Sequence, residues 1–239
     1  MREAYPQLFI YPDFLTGDEV SYWQKKLTHP TFWQPAFWQD PLAEDNHCNA
    51  QPDHYTINPD NYDPGNYDNL ELFQAEQRLT SKINTLIEHQ YGEKFLTINT
   101  WYFRKWTAGM RQGLHHDAAD GNNRLDFHDP NNADGAPPPI AFHDVASILY
   151  YNDNFDGGHL YFNRPELHIK PQAGMLVTMP CTDHYIHGVT PVTSGERYIS
   201  AHFWTRAKTI AMLQHAQLPD SWRHKYRDPH KVDDISPNM

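Results

Sequence analysis

The triplet His115-His116-Asp117 places an imidazole and a carboxylate two residues apart, and His187 follows roughly seventy residues later. Two imidazoles and one carboxylate on neighbouring strands can occupy one face of an Fe(II) octahedron, leaving three positions open for cosubstrate and oxygen. In a pleated strand His115 and Asp117 point to the same side, as such ligation requires. An H-x-D alone carries little weight, because a chain with 16 histidines and abundant aspartate produces one by chance. Its weight comes from the strand before it and from the histidine-bearing strand YIHGVTPV that comes later. Arg197, at the start of RYISAHFW, follows ten residues after His187. A buried guanidinium is costly unless it meets a carboxylate, which it binds best in bidentate fashion. A dicarboxylate chelated to iron at one end and gripped by Arg197 at the other gives both groups a reason to be there.

Competing readings accompany these residues. His184, three residues before His187, is an alternative ligand, although the GVTPV run after His187 favours the latter. His116 has the opposite strand orientation and reads as a neighbour. His128 and His143 lie in or beside a polar insertion and read as solvated loop histidines ahead of a second metal site. His159, His168, His202, His215, His224 and His230 read as surface or packed residues. Tyr102 and Arg104 share strand parity with Trp106 and, with Gln112, are candidate substrate contacts; a plain surface charge is the other reading of Arg104. The aromatic residues Trp33, Phe37 and Trp38 read as core or loop packing ahead of a binding surface.

The elements that must position this chemistry change character along the chain. LFIYPDF reads as a short strand, and Thr16 ahead of Gly17-Asp18-Glu19 as a helix N-terminus. Val20, Trp23 and Leu27 then share one helix face. Residues 31–68 show no sustained period and read as a long ordered loop with short strands. Leu72, Ala75, Leu79, Ile83, Leu86 and Ile87 keep helical spacing up to Tyr91-Gly92. From residue 94 the period becomes two: FLTINTWYFRKW, SILYYND, HLYFN, LHIK, GMLVTMP, YIHGVTPV and RYISAHFW read as short strands separated by turn residues. That spacing predicts a sandwich or closed barrel. The expected organisation is one domain over 1–206, with a helical support and loop region at 1–93 and a β core at 94–206. An insertion at 118–145 is a candidate lid or an unrelated surface loop. A C-terminal helix and polar tail fill 207–239.

Composition bounds the rest. A formal charge of -11 disfavours a phosphate-binding surface for nucleic acid. No apolar run approaches the roughly 18 residues needed to span a bilayer. The first residues lack a signal-peptide pattern. Cys48 and Cys181 are the two cysteines, which suits a reducing compartment, so the expected location is cytoplasmic.

Four motifs in order resemble the prolyl 4-hydroxylase-type 2-oxoglutarate/Fe(II)-dependent dioxygenases: W-x-x-G-x(5)-H-x-D at 106–117, ILYYNDNFDGGHLYF at 148–162, PQAGMLVTMP at 171–180 and HGVTPVTSGERY at 187–198. The resemblance covers roughly residues 8–206. It implies a mostly β double-stranded β-helix (jelly roll, cupin-like) with supporting N-terminal helices. It also implies Fe(II) held by His115, Asp117 and His187, with the far carboxylate of 2-oxoglutarate on Arg197. Tyr150 and Leu160 match positions lining the cosubstrate, though Tyr150 also reads as a core tyrosine. Trp106 stands where many members carry a tyrosine that touches 2-oxoglutarate, and Phe203 stands where many carry tryptophan. The implied activity is hydroxylation of a C–H bond using O2, with succinate and CO2 released and ascorbate a candidate reductant. A peptide or protein, a free amino acid or a small molecule could be the substrate. The rival from another class, a non-catalytic jelly-roll protein binding metal or sugar, leaves the pairing of the triad with Arg197 unexplained.

Overall fold

The chain enters its first helix through side-chain hydrogen bonds. In the computed structural model, which describes residues 4–29, 32–36, 54–57, 67–97, 103–118, 143–163 and 165–208, strand β1 (Phe9–Tyr11) leads to helix α1 (Gly17–Leu27). The Thr16 hydroxyl accepts the Glu19 N–H at 3.2 Å, and the Glu19 carboxylate accepts the Thr16 N–H at 2.8 Å. This reciprocal cap satisfies two first-turn donors and stabilises the helix by about 1 kcal/mol. β2 (Trp33–Ala36) and β3 (His54–Ile57) follow, then α2 (Tyr67–Tyr91), which Gly92 ends in the left-handed region at φ 67°. The apolar spacing from Leu72 onward locates α2, but its first turn lies inside the stretch that composition reads as loop.

The remainder is strand: β4 (Phe95–Thr97), β5 (Phe103–Trp106), β6 (Gln112–His115), β7 (Val145–Tyr150), β8 (Asp156–Gly157), β9 (Leu160–Asn163), β10 (Glu166–Ile169), β11 (Leu176–Pro180), β12 (His187–Val189), β13 (Val192–Ser194) and β14 (Arg197–Arg206). The larger sheet runs β1-β11-β7-β14-β5-β3-β2, with β4 also paired to β14; the smaller runs β10-β9-β12-β6, and β8 pairs with β13. From β5 onward the chain passes back and forth between the two main sheets: β5 large, β6 small, β7 large, β9 and β10 small, β11 large, β12 small, β14 large. This winding is a double-stranded β-helix. FLTINTWYFRKW, expected as one strand, supplies two, because Thr97 pairs with Trp204 and Phe103 with Ser200. The residues between, Tyr102 among them, lie outside the described residues.

Every residue of β7 is buried because both faces of the larger sheet are covered. Val145 and Leu149 pack with Trp23, Leu27, Leu79, Ile83 and Ile87 of the helices. Ala146, Ile148 and Tyr150 pack with Leu160 and Phe162 of the smaller sheet. The alternation of two thus sends each residue of β7 into one of two cores. Trp33 belongs to the first of them, its indole N–H donating to the Leu27 carbonyl at 2.7 Å and its ring stacked on Tyr198. It is a packing residue, while Phe37 and Trp38 lie outside the described residues. Among the described residues, no helix is long and apolar enough to cross a membrane.

His202 sits fully buried on β14, its Nε2 3.1 Å from the Ser200 hydroxyl, and burial pushes its pKa down to about 4. The unfolded chain therefore takes up this proton first as pH falls. The stabilisation is complete above the ordinary value of 6.5 and is lost as pH falls through about 4. His202 contributes at most about 3 kcal/mol across that window. Urea unfolding at pH 7 and pH 5 should show the loss, and His202→Phe should flatten it; an unchanged slope in the variant would contradict this role.

Candidate active site

β6 ends at His115 and β12 begins at His187, and the antiparallel register sets these two residues directly opposite each other. Cross-strand partners share a sheet face, so the two imidazoles meet with ring centroids 4.5 Å apart. Asp117 arrives by a different route from the one the pleat suggests. The strand stops at His115, and Asp117 lies in the turn that follows. Its Oδ1 is 3.5 Å from His115 Nε2 and its Oδ2 is 3.6 Å from His187 Nε2. One ligand atom from each of the three lies within 4.8 Å of the others.

Backbone carbonyls aim both rings. His115 Nδ1 donates to Gly113 O at 2.9 Å, and His187 Nδ1 donates to Tyr185 O at 2.9 Å. A carbonyl only accepts, so each Nδ1 carries the proton and each Nε2 is the unprotonated nitrogen, that of His115 also lying 3.1 Å from the Gln112 amide nitrogen. Burial alone would raise the pKa of Asp117, but the neighbouring imidazoles, His187 foremost, outweigh it and hold the carboxyl down to about 2. Burial pushes His187 down to about 4, only partly opposed by Asp117. Burial also disfavours a charged His115, yet the Asp117 carboxylate overcomes this and raises its pKa. An ionised carboxylate and a neutral His187 are the protonation states a divalent cation requires.

The other histidines separate cleanly. His184 is occupied elsewhere, its Nε2 lying 2.9 Å from the Ala4 carbonyl, and it stands apart from the triad. His116 is buried with Nδ1 3.4 Å from the Cys181 carbonyl. His143 departs from its reading as a solvated loop histidine. It is buried, stacked on Phe203, with burial holding its pKa down to about 4, and its Nδ1 lies 2.9 Å from the Asp117 carbonyl. The apolar run IAF immediately before it was the sequence signal that it belongs to the core rather than to the polar insertion.

Arg197, opposite Trp106 in the β14–β5 register, is 0% exposed. Its guanidinium carbon lies 4.9 Å from the Trp106 ring centroid and 5.1 Å from that of Tyr150. Burial lowers its pKa, with the Tyr150 hydroxyl partly opposing the shift. Among the described residues, the Arg197 Nε, Nη1 and Nη2, the Tyr150 hydroxyl and the Trp106 Nε1 all lack a hydrogen-bond partner. Five unsatisfied polar atoms around one buried cation are a large cost for a folded protein to carry. A carboxylate entering beside them would satisfy several at once.

Residues 100–206 match the family model described as the 2OG-Fe(II) oxygenase superfamily. Over this segment the chain is similar to the 2OG-Fe(II) oxygenases. Prolyl 3-hydroxylase 2 of Mus musculus is 33% identical over 89 residues, which cover 35% of this chain and 13% of that protein. The chain thus spans a small part of the curated relatives it matches. Among solved structures, a prolyl hydroxylase from Trichoplax adhaerens, in complex with a hypoxia inducible factor oxygen degradation domain peptide fragment, has a TM-score of 0.59 at 18% identity, covering 88% of this chain and 89% of its own. A Pseudomonas putida prolyl-4-hydroxylase has a TM-score of 0.51 at 17% identity, covering 84% of this chain and 92% of its own. Both likenesses are of fold.

Leu160 is fully buried in the core between the sheets, together with Tyr150. Arg104 shares the inner face with Ile199 and Trp106, as strand parity predicts, and its Nη1 lies 3.3 Å from the Thr56 hydroxyl. Gln112 is exposed, with its amide nitrogen 3.1 Å from His115 Nε2. Most of the 118–145 insertion and of the 207–239 tail lies outside the described residues. One position was not read as part of the site. Gly158 has φ 61°, and a Cβ there would sit 2.9 Å from Arg197 Cδ and 3.2 Å from Val192 Cγ2. Gly158→Ala should displace the guanidinium, so 2-oxoglutarate affinity should fall about tenfold or more while metal affinity holds. Titration of both ligands checks this, and unchanged 2-oxoglutarate affinity would contradict it.

Proposed function

We propose that the protein is a 2-oxoglutarate- and O2-dependent Fe(II) oxygenase that hydroxylates a prolyl residue within a peptide or protein. The observation that carries this reading is Arg197: a buried guanidinium with no hydrogen-bond partner among the described residues, in the same chain as a two-histidine, one-carboxylate group. The donor set suits ferrous iron, being two imidazoles and one carboxylate. His115, Asp117 and His187 would hold the ion through Nε2, a carboxylate oxygen and Nε2. Arg197 would take the far carboxylate of 2-oxoglutarate as a bidentate pair, with the Tyr150 hydroxyl and the Trp106 N–H as further donors. Leu160 and Ile199 would wall the cosubstrate from water, which strengthens those bonds. When bound, Fe(II) with 2-oxoglutarate and O2 would supply the oxidation, giving succinate, CO2 and a hydroxylated substrate.

Substrate access is favoured on the side of β6. The His115 side chain is 26% exposed, and Gln112, Gly113 and Leu114 are all exposed beside it. A surface-open edge beside the metal group suits a chain segment that lies across it, and Gln112 and Arg104 would be candidate contacts for such a segment. Prolyl hydroxylases among the similar proteins give the reading its residue type. Neither the site nor the comparisons favour the non-catalytic jelly-roll alternative.

The test is a screen of proline-containing peptides with Fe(II), 2-oxoglutarate, ascorbate and air. Succinate should form in step with a mass gain of one oxygen on a peptide. Amino-acid analysis then distinguishes 3-hydroxyproline from 4-hydroxyproline. Succinate coupled only to a free amino acid or a small metabolite would overturn the peptide assignment, and no succinate with any substrate would overturn the oxygenase reading.

A further inference from the structure

We propose that His143 is a positioning residue for Asp117, holding the carboxylate ligand in place through its backbone; this rests on the reading that Asp117 binds the metal. Asp117 is the one member of the triad outside a strand. His115 and His187 are fixed by the β6–β12 ladder, whereas the turn carrying Asp117 must be fixed by other means. Among the described residues, three contacts do so. The Asp117 carbonyl accepts from His143 Nδ1 at 2.9 Å, the Ala118 N–H donates to the Cys181 carbonyl at 3.2 Å, and His116 Nδ1 lies 3.4 Å from the same Cys181 oxygen.

The contact from His143 is the one made to Asp117 itself. It comes from the residue two before β7, so it ties the turn to the larger sheet. The ring is in turn held by Phe203 of β14, with centroids 4.2 Å apart and planes inclined by 5°. A near-parallel stack removes the freedom of the imidazole to swing, and burial to 8% exposure keeps water from replacing it at the carbonyl. The chain of contacts Phe203–His143–Asp117 therefore links the strand that carries Arg197 to the carboxylate ligand. An outer partner that orients a ligand typically affects metal affinity by about 10–100-fold.

The test uses Co(II), whose ligand-field absorption reports both binding and geometry, with the full chain and no 2-oxoglutarate. His143→Phe keeps a flat ring on Phe203 but removes the donor. His143→Asn sacrifices the stack but can present an amide N–H near the position of Nδ1. His143→Phe should weaken Co(II) binding about 10–100-fold and alter the band, and His143→Asn should recover most of the affinity. Melting of the metal-free variants reports general loosening separately. The proposal is overturned if His143→Phe binds Co(II) like the unaltered protein, or if His143→Asn loses as much affinity in step with a lowered melting temperature. Asp117→Ala, run in parallel, should bind Co(II) far more weakly. If it binds normally, the metal reading itself has failed, and this result is distinct from a failure confined to His143.

Discussion

Arg197→Met should raise the melting temperature of the protein without cosubstrate and abolish its response to 2-oxoglutarate. The guanidinium is fully buried with none of its nitrogens paired among the described residues. Its stacking between Trp106 and Tyr150 offsets part of the desolvation cost, by roughly 0.5–2 kcal/mol per ring. The penalty for an unpaired buried ion is several kcal/mol, so a methionine that fills the same space should be about 1–4 kcal/mol more stable. For a chain of this size that is a rise of several degrees, at about 2–4 °C per kcal/mol. The same change removes the bidentate partner of a carboxylate, and 2-oxoglutarate affinity should fall by about a hundredfold or more. Differential scanning calorimetry with and without 2-oxoglutarate reads both effects. A variant that melts lower yet is still stabilised by 2-oxoglutarate would mean that Arg197 serves packing and not the cosubstrate.

Asp117→Ala should cost more metal affinity than the about 10–100-fold typical of losing an outer partner, and should take turnover below detection. Asp117 is the anionic member of the triad, and its carboxylate lies 3.5 and 3.6 Å from the two Nε2 atoms. Without it, two neutral imidazoles face the cation alone. The carboxylate also sets the pH behaviour. It raises the pKa of His115 above the ordinary 6.5, so protons begin to displace metal above that value as pH falls. In Asp117→Ala the remaining weak binding should shift its pH midpoint downward, because burial of His115 is then opposed only by its backbone hydrogen bonds. Metal titrations across pH for both proteins check this, and an unshifted midpoint would contradict the coupling.

The site could be read from sequence to the extent that chemistry and order fix it. His115, His187 and Arg197 sit at strand termini bounded by glycine and turn residues, so period two and motif order were enough to place them. Asp117 reached the site by a turn, because β6 ends a residue pair sooner than alternation assumes. The Trp106–Tyr150–Arg197 cluster joins three strands distant in sequence, so motif resemblance and not strand period brought its members together. His143 read as a loop histidine because its partners, Phe203 and the Asp117 carbonyl, lie far from it along the chain. The two helices show the same division. α1 was fixed locally by its Thr16–Glu19 cap, while the first turn of α2 carries no apolar spacing to mark it.

Titration of 2-oxoglutarate into the anaerobic protein, with and without Fe(II), tests most directly whether the triad and Arg197 form one cosubstrate site. One equivalent should bind per chain, at least about tenfold more tightly with Fe(II), and Asp117→Ala should erase that difference. Binding that is equally tight with and without the metal, or absent in both cases, would contradict the account.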